Sequence, residues 1–530
     1  MRFLRVSRRF LLPTLLGGGL ALVALILLRG GPSGLPPGRL VEAVVGEVHR
    51  TSPLASLTTE AEDDLVALVY AGLMRPGPDG TPEVDLAESW DVTPDGLTYT
   101  FRLRPGLTWH DGVALTASDV AFTVERIQSS DFSGPRALAA AWAGVEVFVS
   151  DPQTVLFHLV EPSAEFLSRA SVGLVPQHLS SKMGGANLDS PAFEQHPVGA
   201  GPYRVRGIEA DRVSLERFAG YAHGAPQIGR IDLRLARDIP EQARMVADGR
   251  ADSALLSEVP VEDEARLTKR GDLRSVPLTR NAYTLIYLNH ALPPFDDVAT
   301  RNALASAIDR APVVAAAGRG LPGAVPFVPG TWAQISTRTP APNAGALLEA
   351  AGWHLEGDGV RRRSGQSLAV EIATNEDASR QAVAEAVASQ WRANGVQVKV
   401  TVLPAGVLVQ ERLRRAAYQA AVYGWDAGID PDPYPGWHTT QVGSGGANVA
   451  GFQDREADAL LEAARTTLDQ GERRELYALF TARFTGQAAS VVLYYPQRPY
   501  VLPRRLQGFT PGVLFTPGSR FRDVHLWRLQ

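Results

Sequence analysis

Hydrophobic positions follow two different periods along this chain, and each change of period marks a change from helix to strand. The clearest helical period begins at Ser379, after which apolar residues recur at every fourth position: Val383, Val387 and Trp391. Gly395 is suited to end that helix, and from Val396 to Val402 every second residue is valine, the period of a strand. A helix followed directly by a strand is typical of α/β layers.

The same patterns predict further elements on both sides of this unit. Two capping boxes, at residues 59–62 and 116–119, place helix starts directly ahead of apolar residues. Further helices are predicted over about 454–468 and 472–484. Apolar or alternating segments predict strands at 40–47, 99–103, 145–149, 154–159, 283–289 and 490–495.

Length and composition exclude several classes of protein. A chain of 530 residues should form two or three domains, and 45% hydrophobic with 21% charged residues is typical of a globular protein. The net charge of −5 gives no reason to expect nucleic acid or an anionic membrane surface as a partner. Because there is no cysteine, disulfides, thiolate catalysis and cysteine-ligated metals are excluded.

Local motifs for catalysis are missing from the sequence. No lysine follows a glycine, so there is no phosphate-binding loop, and neither G-x-S-x-G, S-x-x-K nor H-E-x-x-H occurs. The ten histidines never lie three or four residues apart, so no helix presents a pair of them to a metal. We therefore predict a protein that is not an enzyme, with no cofactor and no metal site; the alternative is a metal site assembled from histidines that are distant in the sequence.

A run of short motifs between residues 65 and 126 carries the strongest signal in the chain. They occur in this order: Tyr70-Ala-Gly-Leu73, Pro78-Asp-Gly80, Leu86-Ala-Glu-Ser-Trp90, Asp95-Gly-Leu-Thr-Tyr-Thr-Phe101, Trp109-His-Asp-Gly112 and Ala117-Ser-Asp-Val120. The run resembles the first lobe of family 5 of the extracellular solute-binding proteins, which serve peptide-type ABC importers. Later segments at 196–205, 245–252 and 347–353 resemble the same family, so the resemblance covers about residues 40–520.

The resemblance implies an α/β fold of the two-lobed, type II periplasmic-binding-protein class. The first lobe would carry an extra subdomain, and two hinge strands would cross between the lobes. The expected division is an N-terminal signal or anchor with a tether at 1–38, lobe 1 at 39–282 with its inserted subdomain at about 80–185, lobe 2 at 283–490, and a return to lobe 1 at 491–530.

The resemblance also implies a function. Such a protein captures oligopeptides or dipeptides in the cleft between its lobes and delivers them to a membrane permease, whose ATPase subunits are separate chains. We expect a monomer. The same fold could instead bind a nickel chelate, haem, an opine or an oligosaccharide, because fold does not fix the ligand.

The segment 423–437 supplies most of the candidate ligand-binding residues. In peptide-binding relatives an aspartate that follows a Gly-Trp pair holds the α-ammonium of the peptide. Asp430, ahead of Pro431, matches that position, and Asp432 is the second choice. Aromatic residues of the segment would line the cleft: Tyr423, Trp425 and Trp437. The alternative is a proline-rich turn with solvated carboxylates.

Two further positions are expected near the cleft. Asn289 lies close to the predicted crossing between the lobes, where either a hinge role or simple turn formation would explain it. Ser52 lies in the segment 49–53, where relatives have a turn at the cleft edge, so we expect a ligand contact there.

The N-terminus carries a signal for export. Four arginines precede an apolar run over residues 10–28, which is about the minimum length for a membrane-spanning helix. We expect an anchor in the cytoplasmic membrane, with the rest of the chain outside the cytoplasm. Signal cleavage, which would release the protein into the periplasm, is the alternative, and the paired arginines leave the twin-arginine export route open.

Overall fold

The computed structural model describes residues 38–182, 194–257, 261–336, 343–443 and 445–530, in which strands and helices alternate along most of the chain. The strands are β1 (Arg39–Val45), β2 (Met74–Pro76), β3 (Pro82–Val84), β4 (Ala87–Val92), β5 (Thr98–Leu103), β6 (Glu146–Asp151), β7 (Thr154–His158), β8 (Tyr203–Glu209), β9 (Arg212–Arg217), β10 (Arg230–Ala236), β11 (Ser253–Leu255), β12 (Leu273–Thr279), β13 (Ala282–Leu288), β14 (Gly320–Pro322), β15 (His354–Leu355), β16 (Arg361–Arg363), β17 (Gln366–Ser367), β18 (Ala369–Asn375), β19 (Gln397–Leu403), β20 (Ala420–Asp426), β21 (Ser490–Pro503), β22 (Leu506–Gln507) and β23 (Arg528–Leu529).

Helices cover both faces of the strands. They are α1 (Glu60–Val69), α2 (Ala117–Gln128), α3 (Arg136–Trp142), α4 (Phe166–Arg169), α5 (Gln177–Lys182), α6 (Ile239–Ala247), α7 (Val261–Thr268), α8 (Val298–Ser306), α9 (Arg310–Ala317), α10 (Ala344–Ala350), α11 (Ala378–Ala393), α12 (Ala405–Val407), α13 (Tyr434–Trp437), α14 (Arg455–Thr466) and α15 (Gln470–Gly486).

One twelve-stranded sheet runs through the molecule, in the order β19-β18-β20-β13-β21-β11-β1-β10-β9-β8, and β12 and β14 also pair with β21. The first half of β21 pairs with β13 and β14, and its second half pairs with β11 and β12. Separate hydrophobic cores pack on the two halves of the sheet. The two-lobed α/β fold implied by the resemblance is therefore confirmed.

The chain changes lobe at two neighbouring places. Thr279, the last residue of β12, is opposite Gln497 of β21, and Thr284 of β13 is opposite Tyr494. Leu278 and Tyr500, on one side of these positions, belong to the core of the first lobe, whereas Tyr283 and Tyr495, on the other side, belong to a core of the second lobe. Both crossings therefore lie side by side near Arg280 and Gln497. The domain boundaries given above stay predictions.

A four-stranded antiparallel sheet, in the order β4-β5-β7-β6, is inserted into the first lobe. Its core is aromatic, with the rings of Phe101 and Phe157 edge to face at 5.6 Å. The main chain of this region also meets the second lobe. The Ala164 amide donates to the Arg465 carbonyl, and the Trp332 amide of the second lobe donates to the Asp79 carbonyl, each at 2.9 Å. We call these two hydrogen bonds the rim contact.

Local signals in the sequence agree with most of these elements. Both capping boxes form, one at Thr59 and one at Thr116. Helix α11 begins at Ala378, with Asp377 as its N-cap, and the indole of Trp391 is fully buried. Strand β19 forms where the alternating valines predict a strand, and it lies at the edge of the sheet, where Val402 is 44% exposed.

The C-terminal segment is held to the first lobe by a buried charge cluster. Arg520 donates to Glu42 Oε1 at 2.9 Å from Nη2 and to Asp64 Oδ1 at 2.6 Å from Nη1, and all three side chains are almost completely buried. Two carboxylates share one guanidinium, which leaves an excess negative charge away from water. Burial therefore raises the pKa of Glu42, and it raises the pKa of Asp64 to about 7 although Arg520 opposes the shift.

The apolar run predicted at residues 10–28 lies outside the described residues. In the part of the chain that the structure describes, we find no helix that combines the length and the apolar character needed to cross a bilayer.

Replacing Arg520 should strongly destabilise the protein. Arg520→Met leaves two buried carboxylates without a cation, and we expect the free energy of unfolding in urea to fall by about 3–5 kcal/mol. Arg528→Met is the matched control, because Arg528 is exposed in the same terminal segment. Similar stabilities for the two variants would contradict a structural role of the cluster.

Asp64 should make stability depend on pH. Its pKa is about 7 in the folded protein against the ordinary 3.8, so the folded state retains a proton that the unfolded state releases between these values. This contribution is complete below pH 3.8 and is lost as pH rises through about 7. We expect the unfolding free energy to fall more between about pH 5 and about pH 8 in the native sequence than in Asp64→Asn. Equal pH dependence would exclude Asp64 as the source.

Candidate functional site

A cavity of about 530 Å³ lies between the two lobes, beside the two crossings of the chain. The first lobe contributes Glu60 and Ser257, and the second lobe contributes the start of α11 and the end of β20. Its floor is formed by hinge residues such as Thr284 and by part of β21. A volume of this size fits a small organic molecule.

Arg380 is the most informative side chain in this interlobe cavity. Its guanidinium lies 4.7 Å from the ring centroid of Tyr423, and its polar contact is a long one of 3.5 Å to Asn375 Oδ1. Among the described residues no carboxylate lies within 4 Å of it. The guanidinium also covers Gly424, since a Cβ atom added there would lie 3.1 Å from Nη2. Arg380 is therefore placed to bind an anionic group of a ligand.

Asp426 offers the opposite charge nearby. It is two residues after Gly424 in β20, so both positions are on one face of the strand. Its carboxylate is 81% exposed and pairs with Arg280 at 2.9 Å, and Arg280 is itself half-exposed. Exposed ion pairs contribute about 0–1 kcal/mol, so a ligand cation could replace Arg280 at little cost.

Most of the other charged groups of the cavity are already paired, and Asp377, the N-cap of α11, accepts a hydrogen bond from the Arg380 amide at 2.8 Å. Arg498 binds both carboxylate oxygens of Glu60, at 2.7 and 2.9 Å, and also donates to backbone carbonyls at the end of β11. Arg319 of the second lobe forms an ion pair with Glu264 of the first. That pair joins the lobes directly.

A second, mostly apolar cavity of about 230 Å³ adjoins the interlobe cavity. Tyr70 and Met74 of the first lobe line it, and residues 514–516 of the C-terminal segment line both cavities. The C-terminal segment, which Arg520 holds in place, thus separates the two cavities and lines both of them. An apolar side chain of a ligand could enter this space.

Asp430, the first candidate from the sequence, is bound by Arg473 instead of facing open space. The guanidinium donates to both carboxylate oxygens at 2.9 and 2.7 Å, and the two side chains are 5% and 3% exposed. Arg473 also donates to the Tyr477 hydroxyl at 2.7 Å. A ligand ammonium would have to displace this buried arginine, so ligand contact by Asp430 stays a prediction that the ion pair opposes.

The remaining candidates of that segment lie in different surroundings. Asp432 caps the turn before Tyr434 and pairs with Arg465 at 3.1 Å, and burial raises its pKa to about 6. Trp425 is half-buried against Gly436. Trp437 is 1% exposed and lies in the core of the second lobe. Its indole stacks on Tyr287 of β13 and contacts the ring of Phe484 edge to face.

Two predicted residues lie elsewhere than expected. Asn289 follows the end of β13 that is remote from the crossings, and its amide donates to the carbonyls of Ala416 and Tyr418. It therefore fixes a turn in the second lobe. Ser52 is buried, and its hydroxyl accepts from the Leu54 amide at 3.3 Å. Neither lines the interlobe cavity, and their ligand roles stay predictions.

Sequence reasoning missed Arg380, Arg280 and Asp426. Asp426 directly follows Trp425 in the candidate segment, so its position was a usable signal. Arg380 had none, since its neighbours in the chain predict only a helix.

Comparison with known proteins identifies the chain. Residues 81–448 match the model of the bacterial extracellular solute-binding proteins, family 5. The chain belongs to this family. Members that resemble it include the oligopeptide-binding protein AppA of Bacillus subtilis, 27% identical over 508 residues, which are 93% of this chain and 92% of AppA. The glutathione-binding protein GsiB of Salmonella typhimurium is 29% identical over 433 residues, 77% of this chain and 79% of GsiB.

Solved structures of the family share the fold of this solute-binding protein. AppA of Bacillus subtilis in complex with a nonapeptide gives a TM-score of 0.68 at 26% identity, covering 93% of this chain and 99% of AppA. The ABC transporter substrate-binding protein CtaP of Listeria monocytogenes gives 0.79 at 23% identity, covering 93% and 100%. NikZ of Campylobacter jejuni, in complex with Ni(L-His), gives 0.72 at 24% identity with the same coverage. In the described part of this family 5 protein, no group of three or more His, Asp or Glu side chains is placed to hold a metal ion.

Asp430 and Asp426 should differ in their effect on stability. Asp430→Asn leaves Arg473 buried without its counter-ion, and we expect a loss of about 3–5 kcal/mol in the free energy of unfolding. Asp426→Asn changes an exposed pair and should cost less than about 1 kcal/mol. Urea denaturation of both variants measures the difference, and equal losses would contradict the buried-pair interpretation.

Proposed function

We propose that this family 5 protein is the substrate-binding component of an ABC importer and that it captures short peptides in the interlobe cavity. The observation that carries the proposal is the pair of opposite charges on one face of β20. Arg380 is free to bind a carboxylate, and Asp426 is available to an ammonium. A zwitterionic ligand satisfies both.

The spacing of the two groups fits the termini of a short peptide. Gly424, beneath Arg380, and Asp426 are two residues apart in an extended strand, which corresponds to about 7 Å. Two residues of an extended peptide span about the same distance. Longer peptides would place one terminus elsewhere and use only one of the two charges.

Apolar and aromatic surfaces near the two charges would accommodate varied side chains. The adjoining apolar cavity is open to a hydrophobic side chain, and Tyr423 supplies an aromatic face beneath Arg380. Trp425 is in β20, and the segment that contains Asp430 and Asp432 follows this strand directly. We propose that Asp430 acts mainly by fixing this segment through Arg473, and that Asp426 holds the ligand ammonium.

The proposal extends to partners and location. Proteins of similar sequence are named as binding proteins for oligopeptides, dipeptides and glutathione. We propose that the two lobes close on a solute outside the cytoplasm and deliver it to a permease with ATPase subunits, that the protein acts as a monomer without catalysis, and that residues 10–28 hold it at the cytoplasmic membrane.

Native mass spectrometry of the gently purified protein tests the ligand class. A ladder of co-purified short peptides is the expected result. A nickel chelate, haem, opine or sugar mass would replace the peptide proposal by the non-peptide alternative, which the binding of Ni(L-His) by NikZ makes worth testing.

Arg380→Gln should weaken peptide binding with little change in stability. The variant loses the cation expected to hold the ligand carboxylate, and such a loss typically costs about 2–5 kcal/mol of binding free energy. Titration calorimetry with di- and tripeptides measures it. Arg392→Gln is the matched control, because Arg392 is on the same helix, outside the cavity and paired with Glu385. Unchanged affinity in Arg380→Gln would remove this residue from the site.

A further inference from the structure

A cavity of about 590 Å³ lies in the second lobe, at the end of β13 that is remote from the interlobe cavity. Residues 289–291 form one side of it, Arg301 of α8 forms the base, and Arg414 and Arg415 form the rim. Thr284 lines the interlobe cavity and Asn289 lines this one, so the two spaces are about 17 Å apart along β13. We call it the distal cavity.

Arg301 is buried without a counter-ion. The residue is only 6% exposed, yet its hydrogen bonds go to neutral carbonyls: Nη1 donates to Phe295 at 2.7 Å and Nε donates to Gln487 at 3.1 Å. Within the described ranges no carboxylate lies within 4 Å of it. Arg473 and Arg520, which are equally buried, each hold a carboxylate with both terminal nitrogens.

A buried guanidinium without a counter-ion is costly, because desolvation of an ion amounts to several kcal/mol. Burial accordingly lowers the pKa of Arg301, although Asp297 and Asp296 act in the opposite direction. Asp297 is itself bound by Arg363 at 2.9 Å. The terminal nitrogen Nη2 of Arg301 donates to no group among the described residues, and the side chain lines the cavity, so an anion there would supply the missing charge.

The rim of the distal cavity adds positive charge. Arg414 is exposed and, in the part of the chain described, has no carboxylate within 4 Å, whereas Arg415 pairs with Glu411 at 3.1 Å. Asp296 is the acidic residue among those lining the cavity. His290 adds no charge near neutral pH, because burial lowers its pKa to about 4.

Glycines on the remaining side leave room for a ligand. Gly443, Gly446 and Gly451 line the cavity, and Gly443 and Gly451 have φ values of +100° and +70°, which favour glycine. At these three glycines the backbone can approach a bound group closely, because no Cβ atom is in the way. The cavity volume suits a small organic anion better than a bare halide.

We propose that the distal cavity binds a small anion that carries a phosphate group, with Arg301 at its base and Arg414 at its rim. Planar guanidinium forks match the geometry of phosphate oxygens, and two arginines without a carboxylate partner, Arg301 and Arg414, favour a multiply charged group. The site is separate from the interlobe cavity and does not rest on the peptide-binding proposal.

Titration calorimetry of the full-length protein with inorganic phosphate and with O-phosphoserine tests the site. In the Arg380→Gln background, which removes the anion-binding group of the interlobe cavity, we expect one bound anion per chain, with affinity reduced about tenfold or more by Arg414→Glu and lost on Arg301→Gln. Arg392→Glu is the matched charge reversal on the same lobe, away from the cavity, and should bind as the native sequence does.

Further variants keep the outcome decisive. Arg380→Gln should retain the bound phosphate, which separates the distal cavity from the interlobe cavity. If Arg301→Gln fails to fold, Arg414→Glu alone decides, because its exposed side chain contributes little to folding. No binding of either probe, or equal affinity in Arg414→Glu and the native sequence, would overturn the proposal.

Discussion

Both lobes depend on strand β21, which is part of the sheet in each of them. The fourteen residues of β21 are hydrogen-bonded first within the second lobe and then within the first, so the strand belongs to both cores. A rotation between the lobes would therefore be absorbed where the partner strands change, near Arg280 and Gln497. The interlobe cavity lies beside that place. Rotation there alters the width of the cavity without breaking either core, which is the mechanical requirement for enclosing a solute.

Two kinds of arginine border the cavities: those that are paired with a carboxylate and those that are available to a ligand. Arg520 and Arg473 are fully committed to carboxylates, and each fixes a segment that borders a cavity. Arg380 and Arg301 lack such partners in the described structure, and each lines a cavity. Because removing a charge from water costs several kcal/mol unless another charge compensates it, this difference in pairing supports the proposal that each of the two cavities binds an anion.

Much of the fold was predictable from the sequence because its signals are local. The capping boxes at Thr59 and Thr116 and the period that ends at Trp391 depend on residues within one helix, and all were confirmed. The candidate site was less predictable. Asp430 binds Arg473, which is 43 residues away, and Asp426 was overlooked beside Trp425. Likewise, the alternating valines predict that β19 is a strand, but they do not predict its position at the edge of the sheet.

The rim contact has a consequence for how long a solute stays bound. Its two hydrogen bonds join main-chain groups, so changes of side chain at Asp79, Ala164, Trp332 or Arg465 leave the donors and acceptors in place. Each such bond is worth about 0.5–1.5 kcal/mol, and both must break before the lobes separate. Together they contribute about 1–3 kcal/mol against separation of the lobes, which corresponds to about 5- to 150-fold in the ratio of closed to open protein. The residence time of a solute thus depends partly on main-chain groups that do not contact the solute. Substitutions of side chains in the interlobe cavity can therefore change which solute is bound while these two hydrogen bonds remain.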